Sequence, residues 1–170
     1  MLDASISVDQ AKKDKLFYVV ANMAIVDVAR AKVLILQRSE TEKVHPGKWA
    51  LPGGKLEHSD IANLLAENGN APIDGVDNIL GQLAKREAME ECGLVVAAES
   101  AKVLSDKVFV RPDNVPVFMT VLAAAYAGGD VKLEEGAFSG YAWVGSDDIV
   151  NYDLIDGLAH DIEQAIAIQR

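Results

Sequence analysis

The chain has little of what several classes of protein require. It holds one cysteine, Cys92, in 170 residues, which excludes an internal disulfide and favours a reducing compartment. Its longest apolar stretches, around residues 17–28 and 115–127, are too short to cross a bilayer. The polar N-terminal segment carries no signal peptide, so we expect a cytoplasmic protein with no membrane partner.

Positive charge is scarce as well. Sixteen Lys and Arg residues stand against 26 Asp and Glu residues, for a net charge of −10, so we expect no nucleic acid partner. An acidic protein can still bind a polyphosphate when a divalent cation bridges the like charges. Half of the residues are apolar, which argues against disorder and suffices for one domain with a sizeable core.

The most informative stretch is residues 86–94, where Glu87, Glu90 and Glu91 fall within two turns of a predicted helix that ends at Gly93. Spacings of three and four residues place the acids on one face, where they repel one another. A cluster that costs stability favours a counter-ion, and hard oxygen ligands suit Mg²⁺ or Mn²⁺. A solvated acidic helix face is the plain alternative.

A second feature lies upstream, at Pro52-Gly53-Gly54. Proline followed by two glycines between apolar residues predicts a turn. Adjacent glycines also let the backbone approach a ligand closely.

Together the two features resemble the Nudix hydrolase family. Its signature reads Gly, five residues, Glu, seven residues, then Arg-Glu-aliphatic-x-Glu-Glu-x-Gly-aliphatic. Gly54 matches the first glycine, and residues 86–94 match the second half. The resemblance implies an α/β fold, a Nudix-type α/β/α sandwich with a mixed sheet, formed by residues 1–170 as a single domain.

The resemblance also implies an enzyme that hydrolyses a diphosphate bond in a nucleoside diphosphate linked to another moiety. A nucleoside triphosphate, ADP-ribose or a nucleotide sugar fits this description, with Mg²⁺ or Mn²⁺ as cofactor. By position, Glu90, Glu91 and the carbonyl of Gly54 would be metal ligands. Glu87 would be a further ligand or the base that activates water, and Arg86 would orient Glu87.

Four residues are candidates for substrate binding. Arg38, at a strand end, would contact a phosphate, and Trp49 would stack on a base, although a surface arginine and ordinary packing are the alternatives. Gly53 and Gly54 would allow close approach of the backbone. Family members are often homodimers, so a homodimer is an expectation for this chain.

The chain departs from the family pattern in the spacing of the box. Arg86 follows Gly54 by 32 positions where the family has 14, which leaves 18 extra residues. We assign the insertion to residues 58–75, as a lengthened loop, a lid or a dimer contact. Counted back from Arg86, the lone Glu of the family falls on Asn78, with Asp77 beside it. This departure motivates the alternative of a catalytically weak nucleotide-binding or regulatory module.

A further departure lies late in the chain, where many relatives place a Glu just before a tryptophan and this chain has Gly140. Glu134 and Glu135 are loop acids that are either solvated or reach the site.

The apolar patterns predict the remaining elements. Strands are expected at residues 17–28, 32–38, 49–51, 55–57, 103–111, 115–127 and 141–144. Helices are expected at residues 77–92, capped by Asp77 or Asn78, and at 156–169. The apolar face of the second helix is formed by Leu158, Ile162, Ala165 and Ile166.

Overall fold

The computed structural model describes residues 8–61 and 77–169. Its strands are β1 (Tyr18–Asp27), β2 (Lys32–Arg38), β3 (Trp49–Ala50), β4 (Gly53–Lys55), β5 (Val95–Val96), β6 (Lys102–Val110), β7 (Pro116–Gly128) and β8 (Phe138–Val144). Its named helices are α1 (Ile79–Cys92) and α2 (Leu158–Ile168). Short 3₁₀ helices lie at Lys13–Lys15, Ala98–Ser100 and Ile149–Asn151.

The strands form a mixed sheet centred on β1 and β7. These two run parallel over nine residue pairs, from Tyr18 opposite Val117 to Val26 opposite Ala125. The remaining pairings between named strands are antiparallel: β2 pairs with β1, β3 and β8, β4 pairs with β1, and β5 and β6 pair with β7. Parallel neighbours need a long crossover, and here the chain segment between them contains α1.

The two helices cover opposite faces of this sheet. Alternate residues of a strand point to opposite sides, and Met23 and Ile25 of β1 pack with α1, while Ala24 and Val26 pack with α2. The four apolar residues predicted to share a face of α2 are all buried. The α/β/α arrangement expected from the sequence is therefore confirmed.

The Pro-Gly-Gly prediction was wrong in one respect. Gly53 and Gly54 do not form a turn but lie in strand β4, opposite Asn22 and Ala21 of β1. A Cβ on Gly53 would lie 2.5 Å from the carbonyl oxygen of Ala21. Glycine is needed here because the two strands approach too closely for a side chain.

The predicted start of the first helix also needs correction. Asn78 is the residue before the helix, but its side chain makes no capping hydrogen bond and its φ is 53°. The residue is left-handed, a conformation that asparagine tolerates better than most residues. Of the predicted 58–75 insertion, residues 58–61 form a helical turn, and the rest lies outside the described residues.

No helix among the described residues is both long enough and apolar enough to span a membrane.

Candidate active site

Strand β4 and helix α1 meet where the two halves of the signature come together. The backbone N–H of Gly53 donates a hydrogen bond to Glu91 Oε2 at 2.8 Å. A Cβ on Gly54 would lie 1.9 Å from Glu87 Oε1. The paired glycines therefore let two carboxylates of the helix reach the strand backbone.

This junction forms the wall of an open pocket of about 520 Å³, which we call the acidic pocket. Six of the predicted site residues line it: Gly53, Gly54, Arg86, Glu87, Glu90 and Glu91. Sequence reasoning missed Lys55 and Glu57 and favoured a solvated position for Glu134, but all three line the pocket as well. Five carboxylates thus face two cationic side chains, so the pocket favours a cation.

Arg86 is the centre of an ion-pair network in this pocket. Its guanidinium lies 2.9 Å from Glu87 Oε1 and 2.7 Å from Glu90 Oε2. It also donates two hydrogen bonds to Asp60, at 2.8 Å and 3.2 Å. Partial burial opposes the charge of Arg86, but the hydrogen bonds and charges of Asp60, Glu87 and Glu90 outweigh that effect and raise its pKa.

Asp60 takes the place that the sequence assigned to Asn78. Counted forward from Gly54, the sixth position is Asp60, which is where the signature places its lone Glu. Asp60 pairs with Arg86 through both carboxylate oxygens, and its side chain is only 10% exposed. The backward count from Arg86 was wrong because the extra residues lie between Asp60 and the arginine. Counting forward from Gly54 would have identified Asp60 from the sequence alone.

The buried acids titrate abnormally. Desolvation is the main cause that raises the pKa of Glu87, against the nearby positive charge of Arg86. Burial also raises the pKa of Glu91 to about 8, although the Gly53 N–H opposes it. The charges of Glu87 and Glu134 add to that rise. For both carboxylates, the cost of burial therefore exceeds the compensation that nearby positive charge and hydrogen bonds provide.

The pocket suits a divalent cation by the chemistry of its donors. Carboxylate oxygens are the ligands that Mg²⁺ and Mn²⁺ prefer. Within residues 8–61 and 77–169, however, no three side chains of the His, Cys, Asp and Glu types are already gathered as a ligand set. Glu90 is paired with Arg86 and Glu91 with the Gly53 N–H, so each carboxylate is held by a protein partner.

Arg38 and Trp49 lie outside this pocket. Arg38 lowers the pKa of Glu91 by its charge, while its own guanidinium pairs with Glu42 and donates to the carbonyl of Val44. Trp49 packs with the α2 side of the sheet and meets Tyr152 edge to face, with ring centroids 4.9 Å apart. The structure therefore brings Arg38 near the acids but not Trp49, whose role in substrate binding stays a prediction.

Glu134 reaches the acidic pocket on the loop between β7 and β8. Its backbone N–H donates to the carbonyl of Glu91 at 2.9 Å, and the backbone N–H of Lys132 donates to the carbonyl of Cys92 at 3.0 Å. These bonds fix the loop along the C-terminal end of α1. No sequence pattern predicts them, because they join residues about 40 positions apart.

Cys92 faces the core. Its side chain is buried and donates to the carbonyl of Ala88. Burial raises the pKa of the thiol to about 12, so it is not a nucleophile at neutral pH.

Comparison with known proteins identifies the family. The sequence model of the NUDIX domain matches residues 18–166. The nucleoside triphosphatase NudI of Escherichia coli O81 (strain ED1a) is 28% identical over 129 residues, which cover 71% of this chain and 78% of that protein.

Two solved structures show a similar fold. The MutT protein of Methanosarcina mazei Go1 has a TM-score of 0.63 at 24% identity, covering 91% of this chain and 96% of that one. The NUDIX domain of Shewanella oneidensis NrtR, in complex with ADP ribose, has a TM-score of 0.64 at 19% identity, covering 89% and 87%. With the family match and the acidic pocket, these similarities show that the chain belongs to the Nudix family and is a Nudix-type pyrophosphohydrolase.

Proposed function

We propose that this protein is a Mg²⁺-dependent hydrolase of nucleoside diphosphates linked to another moiety, with nucleoside triphosphates as the first substrates to test. The observation that carries the proposal is the acidic pocket, in which Gly53 and Gly54 admit Glu87 and Glu91 to the strand backbone. Nudix hydrolases generally use a divalent metal, and the donor set of this pocket fits Mg²⁺ or Mn²⁺.

The residues of the acidic pocket that match the family signature have proposed roles. Glu90, Glu91 and the carbonyl of Gly54 would hold the cation. Glu87 would be a further ligand or the base for the attacking water, and Arg86, 2.9 Å from Glu87, would orient it. When bound, the cation neutralises charge on the diphosphate and assists ionisation of the attacking water. Phosphoryl chemistry of this kind depends mainly on positioning and charge neutralisation.

Two residues extend this set beyond the sequence prediction. Asp60 would fix Arg86, since both of its oxygens accept from the guanidinium. Glu134 would add a carboxylate from the loop between β7 and β8. Arg38 would bind substrate phosphate after it leaves Glu42, and Trp49 would contact the base.

The choice of nucleoside triphosphates rests on the similarity to the nucleoside triphosphatase NudI. ADP-ribose is the second candidate, because the NUDIX domain of NrtR was solved in complex with it. Nucleotide sugars share the same reacting diphosphate and complete the set.

The experiment is a turnover screen with Mg²⁺, Mn²⁺ or chelator, using nucleoside triphosphates, ADP-ribose and nucleotide sugars, with products identified. Glu90→Gln is run beside the natural protein, because it removes charge while keeping size. We expect metal-dependent cleavage that falls at least about a hundredfold in this variant. Glu163→Gln is the matched control, since Glu163 lies on the exposed side of α2, and should retain full turnover.

Each outcome decides between the candidates. Cleavage by the natural protein that Glu90→Gln retains would overturn the metal assignment. Nucleotide binding without cleavage would instead favour the catalytically weak binding module.

Three further expectations remain predictions. We propose that residues 1–170 form a single domain in which the insertion, predicted at 58–75, begins only after Asp60, that the protein acts as a homodimer, and that it resides in the cytoplasm. We also expect no binding to nucleic acid, given the net charge of −10.

A further inference from the structure

A second pocket lies on the α1 side of the sheet, beyond the C-terminal end of that helix. Its volume is about 370 Å³, and none of the residues of the acidic pocket lines it. We call it the aromatic pocket. Its lining includes the aromatic residues Tyr126, Tyr141 and Trp143 and the charged residues Asp27, Arg30 and Asp130.

The three aromatic rings give this pocket flat walls. Tyr126 and Trp143 meet edge to face with centroids 5.5 Å apart, and the Tyr126 hydroxyl donates to the carbonyl of Gly129 at 2.6 Å. Both residues pack against the buried core under α1, so their rings are held in place. Tyr141 lies two residues before Trp143 and is 49% exposed. An aromatic surface that is partly fixed and partly open favours a planar ligand.

The charged residues of the pocket favour a ligand with hydrogen-bond donors. The side chain of Asp27 is only 15% exposed, and its partner Arg30 is 71% exposed. Asp27 accepts from the Arg30 backbone N–H at 3.2 Å and lies 3.5 Å from its guanidinium. A carboxylate can accept about four hydrogen bonds, so this mostly buried group has acceptor capacity to spare. Asp130 adds a second carboxylate.

From these observations we propose that the aromatic pocket binds a planar nitrogen heterocycle with an exocyclic amino group, as in adenosine or cytidine. The ring stacks on the aromatic walls, and Asp27 and Asp130 accept from the amino group. Two carboxylates against one arginine disfavour a phosphorylated ligand. The ligand is therefore a nucleoside or a free base and not a nucleotide.

One loop connects the aromatic pocket to the acidic pocket. Gly129, Asp130 and Val131 line the aromatic pocket, while Glu134 lines the acidic pocket. Between them the loop is held to the end of α1 by the backbone bonds of Lys132 and Glu134. A bound nucleoside therefore changes turnover without competing with substrate. This second effect rests on the proposed hydrolysis, whereas binding itself does not.

The test is calorimetric titration of the full chain with adenosine and with inosine, in which a keto group replaces the amino group. We expect saturable binding of adenosine, and binding of inosine about tenfold weaker or more. Tyr141→Ser should weaken adenosine binding by about tenfold, since stacking on an aromatic ring contributes that much per base. Asp27→Asn should also weaken it.

Two control variants locate the binding. Tyr18→Ser removes a ring of similar exposure, 46%, that does not line the aromatic pocket, and should leave affinity unchanged. Glu90→Gln alters the acidic pocket and should also leave it unchanged. If Asp27→Asn fails to fold, Tyr141→Ser still tests whether adenosine binds in the aromatic pocket. This variant should fold, because Tyr141 lies at the surface.

The proposal is overturned by three results: no saturable binding of adenosine at millimolar concentration, equal binding of adenosine and inosine, or full affinity in Tyr141→Ser. Absence of turnover with intact adenosine binding would instead contradict the proposed hydrolysis and leave the pocket assignment standing. Purely competitive inhibition by adenosine would overturn the coupling through the loop.

Discussion

The two helices pack on the same sheet but bury different chemistry. The buried residues of α2 are Leu158, Ile162, Ala165 and Ile166, all apolar. Those of α1 include small residues and Glu87, which is only 9% exposed. A buried carboxylate costs free energy unless it is compensated. The α2 face therefore serves stability, while the α1 face gives up stability to hold charge beside β4.

The largest effect is expected on the α2 face. Ile162 is fully buried, so Ile162→Ala should lower the free energy of unfolding by about 2–5 kcal/mol through lost contacts and a cavity. Turnover per folded molecule should stay unchanged. Denaturant unfolding measures the loss, and Ile168→Ala, at a site 38% exposed, should cost much less. Equal losses in the two variants would contradict this division between the helices.

On the α1 face, Gly54→Ala should act on turnover instead. The new Cβ would lie 1.9 Å from Glu87 Oε1, and the flexible side chain of Glu87 can move aside while the fold persists. Displacement of a group that positions reactants costs about a hundredfold in rate. Gly145→Ala is the control, because its Cβ would meet nothing closer than 3.6 Å. Steady-state kinetics measures the loss of turnover, and circular dichroism checks that the variant is folded. Unchanged turnover in folded Gly54→Ala would contradict the prediction.

The pH dependence of stability sharpens the same contrast. The pKa of Glu91 rises from 4.5 to about 8 on folding, so the folded state favours the protonated acid. Metal-free protein should therefore lose stability as the pH rises from about 4.5 to about 8. Glu91→Gln, which cannot ionise, should be more stable by on the order of 2 kcal/mol above pH 8.

That gain should vanish below about pH 4.5, where natural Glu91 is protonated in both states. Thermal melting of the natural protein and of Glu91→Gln, in the presence of chelator and from pH 4 to pH 9, measures this difference in stability. A gain in stability that does not depend on pH would show that ionisation of Glu91 is not its cause.

The smallest effect is expected for the support of Arg86. Asp60→Asn keeps the shape of the side chain but removes its charge, so Arg86 loses this ion pair and one of its two hydrogen bonds to residue 60. Loss of a residue that orients active-site groups costs about tenfold or more. The loss should appear in kcat more than in KM, and Asp60→Glu should restore part of it.

Asp113→Asn is the matched control for Asp60→Asn. It breaks the Arg111–Asp113 pair of 2.8 Å, whose Asp113 side chain is 52% exposed. Exposed pairs contribute little, so activity and stability should stay near those of the natural protein. A kcat loss in Asp113→Asn as large as that in Asp60→Asn would remove the specific role of Asp60.

Local patterns were sufficient to predict most of the elements. The β2 range agrees with the prediction, and the apolar face of α2 was predicted residue by residue. The acids of α1 were also predicted to share one face of the helix, and Glu87, Glu90 and Glu91 all line the acidic pocket. These features follow from the periodicity of a single element, which short stretches of sequence encode.

The same patterns failed where two elements approach each other. Gly53 and Gly54 were predicted as a turn and form a strand, because their pairing partner on β1 lies more than 30 residues earlier. The start of α1 was placed on a side-chain cap that Asn78 does not make. At β4, pairing with a distant strand overrides local preference.

The family signature, the helix that carries Glu87, Glu90 and Glu91, and the apolar face of α2 could therefore be predicted from the sequence alone, and the resemblance implied helices on both faces of the sheet. Only the tertiary structure showed that Asp60 supports Arg86, that Glu134 lines the acidic pocket, and that Trp49 lies with Tyr152. The aromatic pocket also exists only in the folded chain, because its walls come from β1, β7, β8 and the loops between them. The physical reason is that side-chain type and spacing follow from local sequence. The meeting of distant side chains depends instead on strand pairing and loop paths, which many residues determine together.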